Sequence, residues 1–347
     1  MRASIIRNGE FVVDQLAKPE PGPGQVLVRN LACGICGSDL HLFSMLKGAA
    51  QLPDMPSTDF VLGHEYCSEI VAFGPDTQQQ LAIGQRVCSI PFIKTEEGQD
   101  GIGVTPQAPG AYAEYMILSE EYLLPVPDHL SSEAAALTEP LAVGIHAVNK
   151  ARLTGDEIAL VIGCGPIGLA VIAALKVRGI KTVLASDLSP NRRERAAMAG
   201  ATEVINPSEG SAFEPLNQHL NNEPAPTVVF ECVGAVGLLQ QICAETPAHS
   251  RIVIAGLCTA EDSFMPIEAL RKELSIQYVF YYEAPEFEEA LNALADGTIS
   301  WQPWLSGKVG LDGIADAFEM LKDPESHAKI IIEPWRDGAV ETLDSNA

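Results

Sequence analysis

Two hydrophobic textures divide the chain. Up to about residue 140, short apolar runs are broken by turn residues. Pro19, Pro21, Gly22, Pro23 and Gly24 precede the run Gln25 to Asn30, Ile70 to Phe73 meets Gly74-Pro75, and Val87 to Ile90 ends at Pro91. This punctuation predicts an all-β region. Lys94 to Pro109 is polar, glycine-rich and aperiodic, which predicts an exposed loop. Ser131-Ser132-Glu133 opens a helix of Ala and Leu that leads into Glu139-Pro140. From about Leu141, buried strands alternate with helices, the pattern of a parallel sheet.

The second texture begins with its most informative stretch. Ile158 to Ile162 is an uncharged run suited to a fully buried strand. It enters Gly163-Cys164-Gly165-Pro166-Ile167-Gly168, with glycines at G-x-G-x-x-G spacing. The first glycine permits a tight turn, the second lets backbone approach a pyrophosphate, and the third lets helix pack on strand. Pro166 suits a first helical turn, whose free N–H groups and positive dipole end favour phosphate. A second strand, Val183 to Ser186, ends at Asp187, about twenty residues past the last glycine, where a ribose 2′-hydroxyl is bound. The order strand, glycines, helix, strand, acid predicts dinucleotide binding. Ile158 to Leu175 is also nearly long enough to span a membrane, but Gly-Cys-Gly-Pro within it fits a strand-turn-helix better.

Further along, Ser189-Pro190 predicts the cap and first turn of a helix through Met198. Glu203 to Ile205, Thr227 to Glu231, Ile252 to Ala255 and Ile276 to Phe280 read as strands. Two amphipathic helices, Phe287 to Leu294 and Ile314 to Leu321, and a strand, Lys329 to Glu333, close the chain.

Composition narrows the function classes. The 347 residues suit two domains, and a hydrophobic fraction of 47% supplies two cores. Lysine plus arginine total 22 against 46 acids, a net charge of −24. That argues against nucleic acid or an anionic membrane as a partner, since both need a basic face. Met1-Arg2-Ala3-Ser4-Ile5 carries no signal-peptide pattern, so the expected location is cytoplasmic. Eight cysteines scattered through apolar runs suggest buried thiols or metal ligands rather than a disulfide framework.

Cys36, His64, Glu65 and Glu139 are ligand types for zinc, and one thiolate, one imidazole and one carboxylate would leave a catalytic ion an open position. Their distant spacing does not separate ligands from ordinary structural residues. Cys33 and Cys36 form a C-x-x-C with no second pair, which disfavours a ribbon-type zinc site.

With the Cys36 to His41 segment, Gly63-His64-Glu65, Gly84-Gln85-Arg86-Val87, Glu139-Pro140-Leu141-Ala142-Val143, the Gly163 to Gly168 fingerprint and Lys329 to Ile332 in that order, the chain resembles the zinc-dependent medium-chain alcohol dehydrogenases. More narrowly, it is similar to their polyol, diol and threonine dehydrogenase branch. The resemblance implies an α/β protein: a GroES-like β-barrel catalytic domain over 1–141, a Rossmann doubly wound parallel sheet over 142–282, and a segment 283–347 returning to the catalytic domain, with the site in the cleft between domains. It implies Cys36 and His64 as zinc ligands, with Glu65 or Glu139 as the resting third. Asp39 would hold the His64 ring. Ser38 would touch the substrate oxygen, His41 would pass its proton outward, and Glu65 would exchange with water on the ion.

The cofactor would meet Gly163, Gly165, Pro166, Ile167, Gly168, Asp187, Arg192, and backbone at Gly256 and Leu257. Asp187 would choose NAD over NADP, although Arg192 and Arg193 stand close by. Segment 91–110 lacks the cysteines of the family's structural zinc, so one zinc per chain is expected. Ser68 and Gln85 replace a usual glycine and aspartate, both small packing changes. Tyr281 stands where the polyol branch often carries arginine, which weighs against a polyhydroxylated substrate.

The expected function is hydride transfer between NAD and a secondary alcohol or diol and its ketone, by a homodimer or homotetramer. Two readings compete. One is a zinc-free NAD(P)H enone or quinone reductase on the same fold, and the other a non-catalytic nucleotide-binding protein. The intact ligand set, with Ser38 and His41, favours the first reading over both.

Overall fold

The computed structural model describes residues 1–51, 59–96, 98–220, 225–323, 325 and 327–343. The chain forms two compact units. One comprises Met1–Glu139, Leu291–Asp296 and Leu305–Ala347; the other comprises Pro140–Ala290 and Gly297–Trp304.

The first unit is built on a mixed sheet. Its long strand Gln25–Gly34 lies antiparallel to Glu65–Phe73, Tyr115–Ser119 and Lys329–Ile332. Arg86–Ser89 and Leu123–Pro125 extend it on one side, and Leu305–Val309 on the other. Val26, Val28, Ile70, Met116, Ile330 and Ile332 all enter one core. Strand Lys329–Ile332 is buried at all four positions, which is why its run of isoleucines is nearly continuous. Ser68 is also buried there, and its hydroxyl donates to Asn30 Oδ1 at 2.8 Å.

Two sequence expectations fail in this unit. Lys94 to Pro109 is not simply an exposed loop. Phe92–Thr95 and Gly98–Gly101 pair as an antiparallel hairpin, Ile102 is buried, and Gly103 donates to the carbonyl of Ala108 at 2.8 Å. A single isoleucine among glycines gives no period, yet Gly103 at φ +71° packs on the Gly63 backbone where a Cβ would collide. The region is also not all-β. Gly37–Ala49 is a helix whose Leu40, Phe43 and Leu46, at helical spacing, pack on the core only partly buried.

The second unit is a six-stranded parallel sheet. Across it run Glu203–Ile205, Thr182–Ser186, Ile158–Ile162, Thr227–Glu231, Arg251–Ile254 and Ser275–Tyr278. In chain order that is 3-2-1-4-5-6, a doubly wound sheet whose direction of winding reverses between Ile158–Ile162 and Thr227–Glu231. The fingerprint sits beside that crevice. Among the described residues no helix is long and apolar enough to cross a membrane.

The opposite end of this sheet is clamped by Glu157. Its carboxylate accepts from the backbone N–H groups of Thr154 at 2.7 Å and Gly155 at 2.8 Å, and pairs with Arg251 at the start of the fifth strand. Arg251 also donates to the carbonyls of Ala151 and Arg152. Burial alone would raise the Glu157 pKa, but Arg251 and these N–H groups outweigh it and lower it from 4.5 to about 2. The ionised form is therefore favoured by folding. The resulting stability is present above pH 4.5 and is lost as pH falls toward 2. Glu157→Gln should lower stability at pH 7 and flatten its decline between pH 5 and 3 relative to wild type, as read from urea midpoints. An unchanged pH profile would remove the clamp from this account.

Candidate active site

The candidate metal-ligating groups are brought together where a helix and a strand begin. Cys36 is the N-cap of helix Gly37–Ala49, so its thiol stands at the positive end of the helix dipole. His64 immediately precedes the neighbouring strand Glu65–Phe73, whose first residue, Glu65, lies opposite Gly34 in the register. Gly34 is required there, because a Cβ would overlap Glu65 Oε2. Gly63 turns the chain into His64 at φ +104°, and a side chain on it would press on the Tyr112 ring.

Cys36, His64 and Glu65 present one ligand atom each, all within 4.8 Å of one another. A thiol, an imidazole and a carboxylate at that separation fit the donor chemistry of a zinc ion. Glu139 is buried at the start of helix Thr138–Lys150 but does not belong to this cluster.

Asp39 organises the group. Its Oδ2 accepts from the Cys36 backbone N–H at 2.9 Å, the reciprocal bond of a capping box, and from the Tyr112 hydroxyl at 2.9 Å. Its Oδ1 lies 3.3 Å from His64 Nδ1, a close electrostatic contact in which neither atom makes a hydrogen bond among the described residues. Burial alone would lower the His64 pKa, but Asp39 and Cys36 outweigh it and hold it above the ordinary imidazole value. Ser38 Oγ stands 3.4 Å from His64 Nε2, and His41 is exposed on the same helix. Cys33 is fully buried, and burial with the Asp39 and Glu65 charges pushes its pKa up. It stays a neutral thiol rather than half of a reactive pair.

Sequence reasoning missed the partner of Glu65. Lys329 is buried, and its Nζ donates to both Glu65 oxygens at 2.7 Å and to the Ile35 carbonyl at 2.9 Å. Burial would lower its pKa, but the charges of Glu65, Cys36 and Asp39 raise it, so the ammonium persists. The available signal was a lone lysine opening an otherwise apolar buried strand. Tyr112 gave no comparable signal.

The dinucleotide fingerprint forms as a strand-turn-helix. Gly163 turns at φ +90°, Gly165 caps helix Pro166–Val177, and Pro166 occupies its first turn. A Cβ on Gly168 would overlap the Gly163 carbonyl oxygen. A Cβ on Gly165 would meet nothing nearer than Arg192 Nη1 at 4.0 Å, so this backbone faces open space, as close approach of a pyrophosphate requires. Asp187 Oδ2 accepts from the Cys164 N–H at 2.8 Å and Oδ1 from the Ser189 N–H at 2.9 Å. Arg192 Nη1 lies 3.9 Å from Asp187, whereas Arg193 is committed to the carbonyls of Asp187 and Leu188. Gly256 and Leu257 follow strand Arg251–Ile254, on the far side of the crevice from Asp187.

Comparison with known proteins bears on both halves. Residues 22–128 match the alcohol dehydrogenase GroES-like domain, and residues 166–296 match the zinc-binding dehydrogenase family. The chain is 30% identical to sorbitol dehydrogenase of Bacillus subtilis over 97% of its own length and 98% of that protein's. Its fold resembles crystalline 2R,3R-butanediol dehydrogenase from Bacillus subtilis at a TM-score of 0.83 and 28% identity, covering 96% of this chain and 99% of that one. A zinc-binding dehydrogenase structure from Sinorhizobium meliloti 1021, bound to NADP, aligns at a TM-score of 0.81 and 27% identity over 96% of this chain and 100% of that one.

The Lys329–Glu65 pair carries a stability prediction. In metal-stripped protein, Lys329→Met should cost about 3–5 kcal/mol in urea unfolding, because it strands a buried carboxylate. Adding Glu65→Leu should recover much of that loss. Additive losses in the double variant would show the two groups to be uncoupled.

Proposed function

The chain belongs to the zinc-dependent medium-chain alcohol and polyol dehydrogenases, and from that premise we propose that it oxidises the secondary alcohol of a small diol with NAD, and reduces the corresponding ketone. The observation that carries this reading is the cluster of Cys36, His64 and Glu65, with Ser38 Oγ 3.4 Å from His64 Nε2. In this reading Cys36, His64 and one carboxylate, from Glu65 or Glu139, hold a single zinc ion. A zinc ion so held supplies Lewis acidity, which brings an alcohol's ionisation toward neutral pH. Ser38 receives the alcohol proton. His41 lies three residues along the same helix, on the same face, and is exposed, so it delivers that proton to water.

Similarity to a sorbitol and a butanediol dehydrogenase supports a hydroxylated substrate. The choice of a diol over a polyol rests on Tyr281, a neutral ring tilted at 56° against Phe280 with centroids 4.1 Å apart, where a charged residue would favour a chain of hydroxyls. Asp187 supports NAD: its half-buried carboxylate accepts from a ribose hydroxyl and repels a 2′-phosphate.

The assembly we propose is a homodimer paired through strand Ser275–Tyr278. This strand ends the parallel sheet, and Tyr278, Phe280, Leu270 and Met265 nearby are exposed apolar groups. Eight free cysteines fit a reducing cytoplasm.

NAD reduction should be followed across secondary alcohols, 2,3-butanediol, sorbitol and threonine. Turnover should fall to background on zinc removal and return with zinc. Activity that survives the stripped metal would overturn the mechanism. Asp187→Ser should raise KM for NAD and lower it for NADP, narrowing the preference at least about tenfold; an unchanged ratio would reject the assignment. Sedimentation should give a dimer, and Phe280→Glu a monomer.

A further inference from the structure

Glu231 is an acid at the end of the buried strand Thr227–Glu231, and nothing in the chemistry above uses it. It is buried, with no cationic partner among its hydrogen bonds. Instead it holds backbone. Its Oε1 accepts from the N–H groups of Val233 at 2.6 Å and Gly234 at 2.7 Å. Its main-chain carbonyl accepts from Ala255 at 2.8 Å and Gly256 at 2.9 Å. One residue thereby fixes the loops that follow two adjacent strands.

These loops are packed backbone on backbone. Gly234 turns at φ +74°, and a Cβ on it would overlap the Leu257 carbonyl. A Cβ on Gly256 would lie 2.5 Å from Glu231 Oε2 and 2.8 Å from the Val233 nitrogen. A Cβ on Gly163 would press on the Cys232 carbonyl at 3.1 Å, so the pair of loops also abuts the fingerprint turn. Side chains from both loops stay open: Val233 is 49% and Leu257 45% exposed.

The strand order assigns this place to one end of the cofactor. Asp187 ends the strand on one side of the fingerprint and marks the adenosine ribose. The loops held by Glu231 lie on the other side, one and two strands away, at about 4.8 Å per strand. A dinucleotide whose pyrophosphate sits at the fingerprint must run its nicotinamide end over them. Val233 and Leu257 offer that ring apolar cover.

We propose that Glu231 is a positioning residue for the nicotinamide half of the cofactor, acting through the backbone of 232–234 and 255–257. The inference rests on the dinucleotide reading. A merely structural turn would affect both halves of the cofactor alike, whereas a positioning role affects only the nicotinamide half.

Calorimetric titration with NADH and with ADP-ribose, which lacks nicotinamide, separates these. Glu231→Ala should weaken NADH about tenfold, the loss of two charge-assisted hydrogen bonds, with ADP-ribose within about twofold of wild type. Glu231→Gln keeps one acceptor oxygen and should fall between the two. Equal loss of both ligands, or loss of neither, would overturn the proposal. If Glu231→Ala does not fold by circular dichroism, the Gln variant decides: an unchanged ratio of the two affinities overturns it, and a selective loss of NADH supports it. Wild-type protein that binds neither ligand would defeat the dinucleotide reading itself, and the inference with it.

Discussion

The pairing of Lys329 with Glu65 is the contact on which the metal-binding half depends. Two opposite charges are taken almost wholly out of water, each costing several kcal/mol if left alone. What makes the burial tolerable is completeness: both carboxylate oxygens are held, and the ammonium also reaches the Ile35 carbonyl. Since Ile35 precedes Cys36, the lysine fixes the approach to one candidate ligand while gripping another. It stands on strand Lys329–Ile332, near the end of the sequence, and touches residues almost three hundred positions earlier. The chain therefore cannot complete this centre until strand Lys329–Ile332 has been added to the sheet beside Gln25–Gly34.

That dependence also bears on how Glu65 can act. A carboxylate whose two oxygens already serve an ammonium is a weaker ligand than a free one. It would have to share or release Lys329 to bind an ion closely. Such competition holds the carboxylate near the site without committing it to an ion. Asp39 does the complementary work through rigidity. One oxygen fixes both the start of the Cys36 helix and the Tyr112 hydroxyl, leaving the other to face the His64 ring. Cys36, Asp39 and Glu65 are set at the starts of a helix and a strand rather than in long loops, so packing holds their geometry.

The two halves of the site differed in legibility for one physical reason. Dinucleotide recognition uses backbone, and backbone that must turn sharply or be approached closely demands glycine at fixed spacing. Gly163, Gly165 and Gly168 therefore announce the crevice within six residues, and Asp187 follows at the distance one strand-helix-strand unit imposes. The candidate metal site uses side chains delivered by a helix start and a strand start far apart in sequence. Cys36, His64 and Glu65 carry no local period, and only their resemblance to a family joined them. Lys329 looked like the edge of an apolar run. The hairpin within 92–101 was missed because glycines and polar residues paired through backbone alone, and the Gly37–Ala49 helix because its weak apolar stripe overlaps the motif residues.

Glu231 extends the same contrast into the cofactor half. There, glycine spacing reveals where backbone bends, but not what keeps it bent. Gly234 and Gly256 remove the obstacles to close packing, and removing a Cβ gives freedom rather than order. Order must come from something that accepts the N–H groups left free by the turns, since a buried, unpaired amide costs about 1–3 kcal/mol. A glutamate at the strand end meets that need twice, through its carboxylate and its carbonyl. In a sequence it reads as an unremarkable acid after a run of valines and a phenylalanine. Buried carboxylates here thus hold backbone as well as cations. Glu157 does so at one end of the parallel sheet and Glu231 at the other, so the same residue type stabilises the sheet at its foot and shapes the crevice at its mouth.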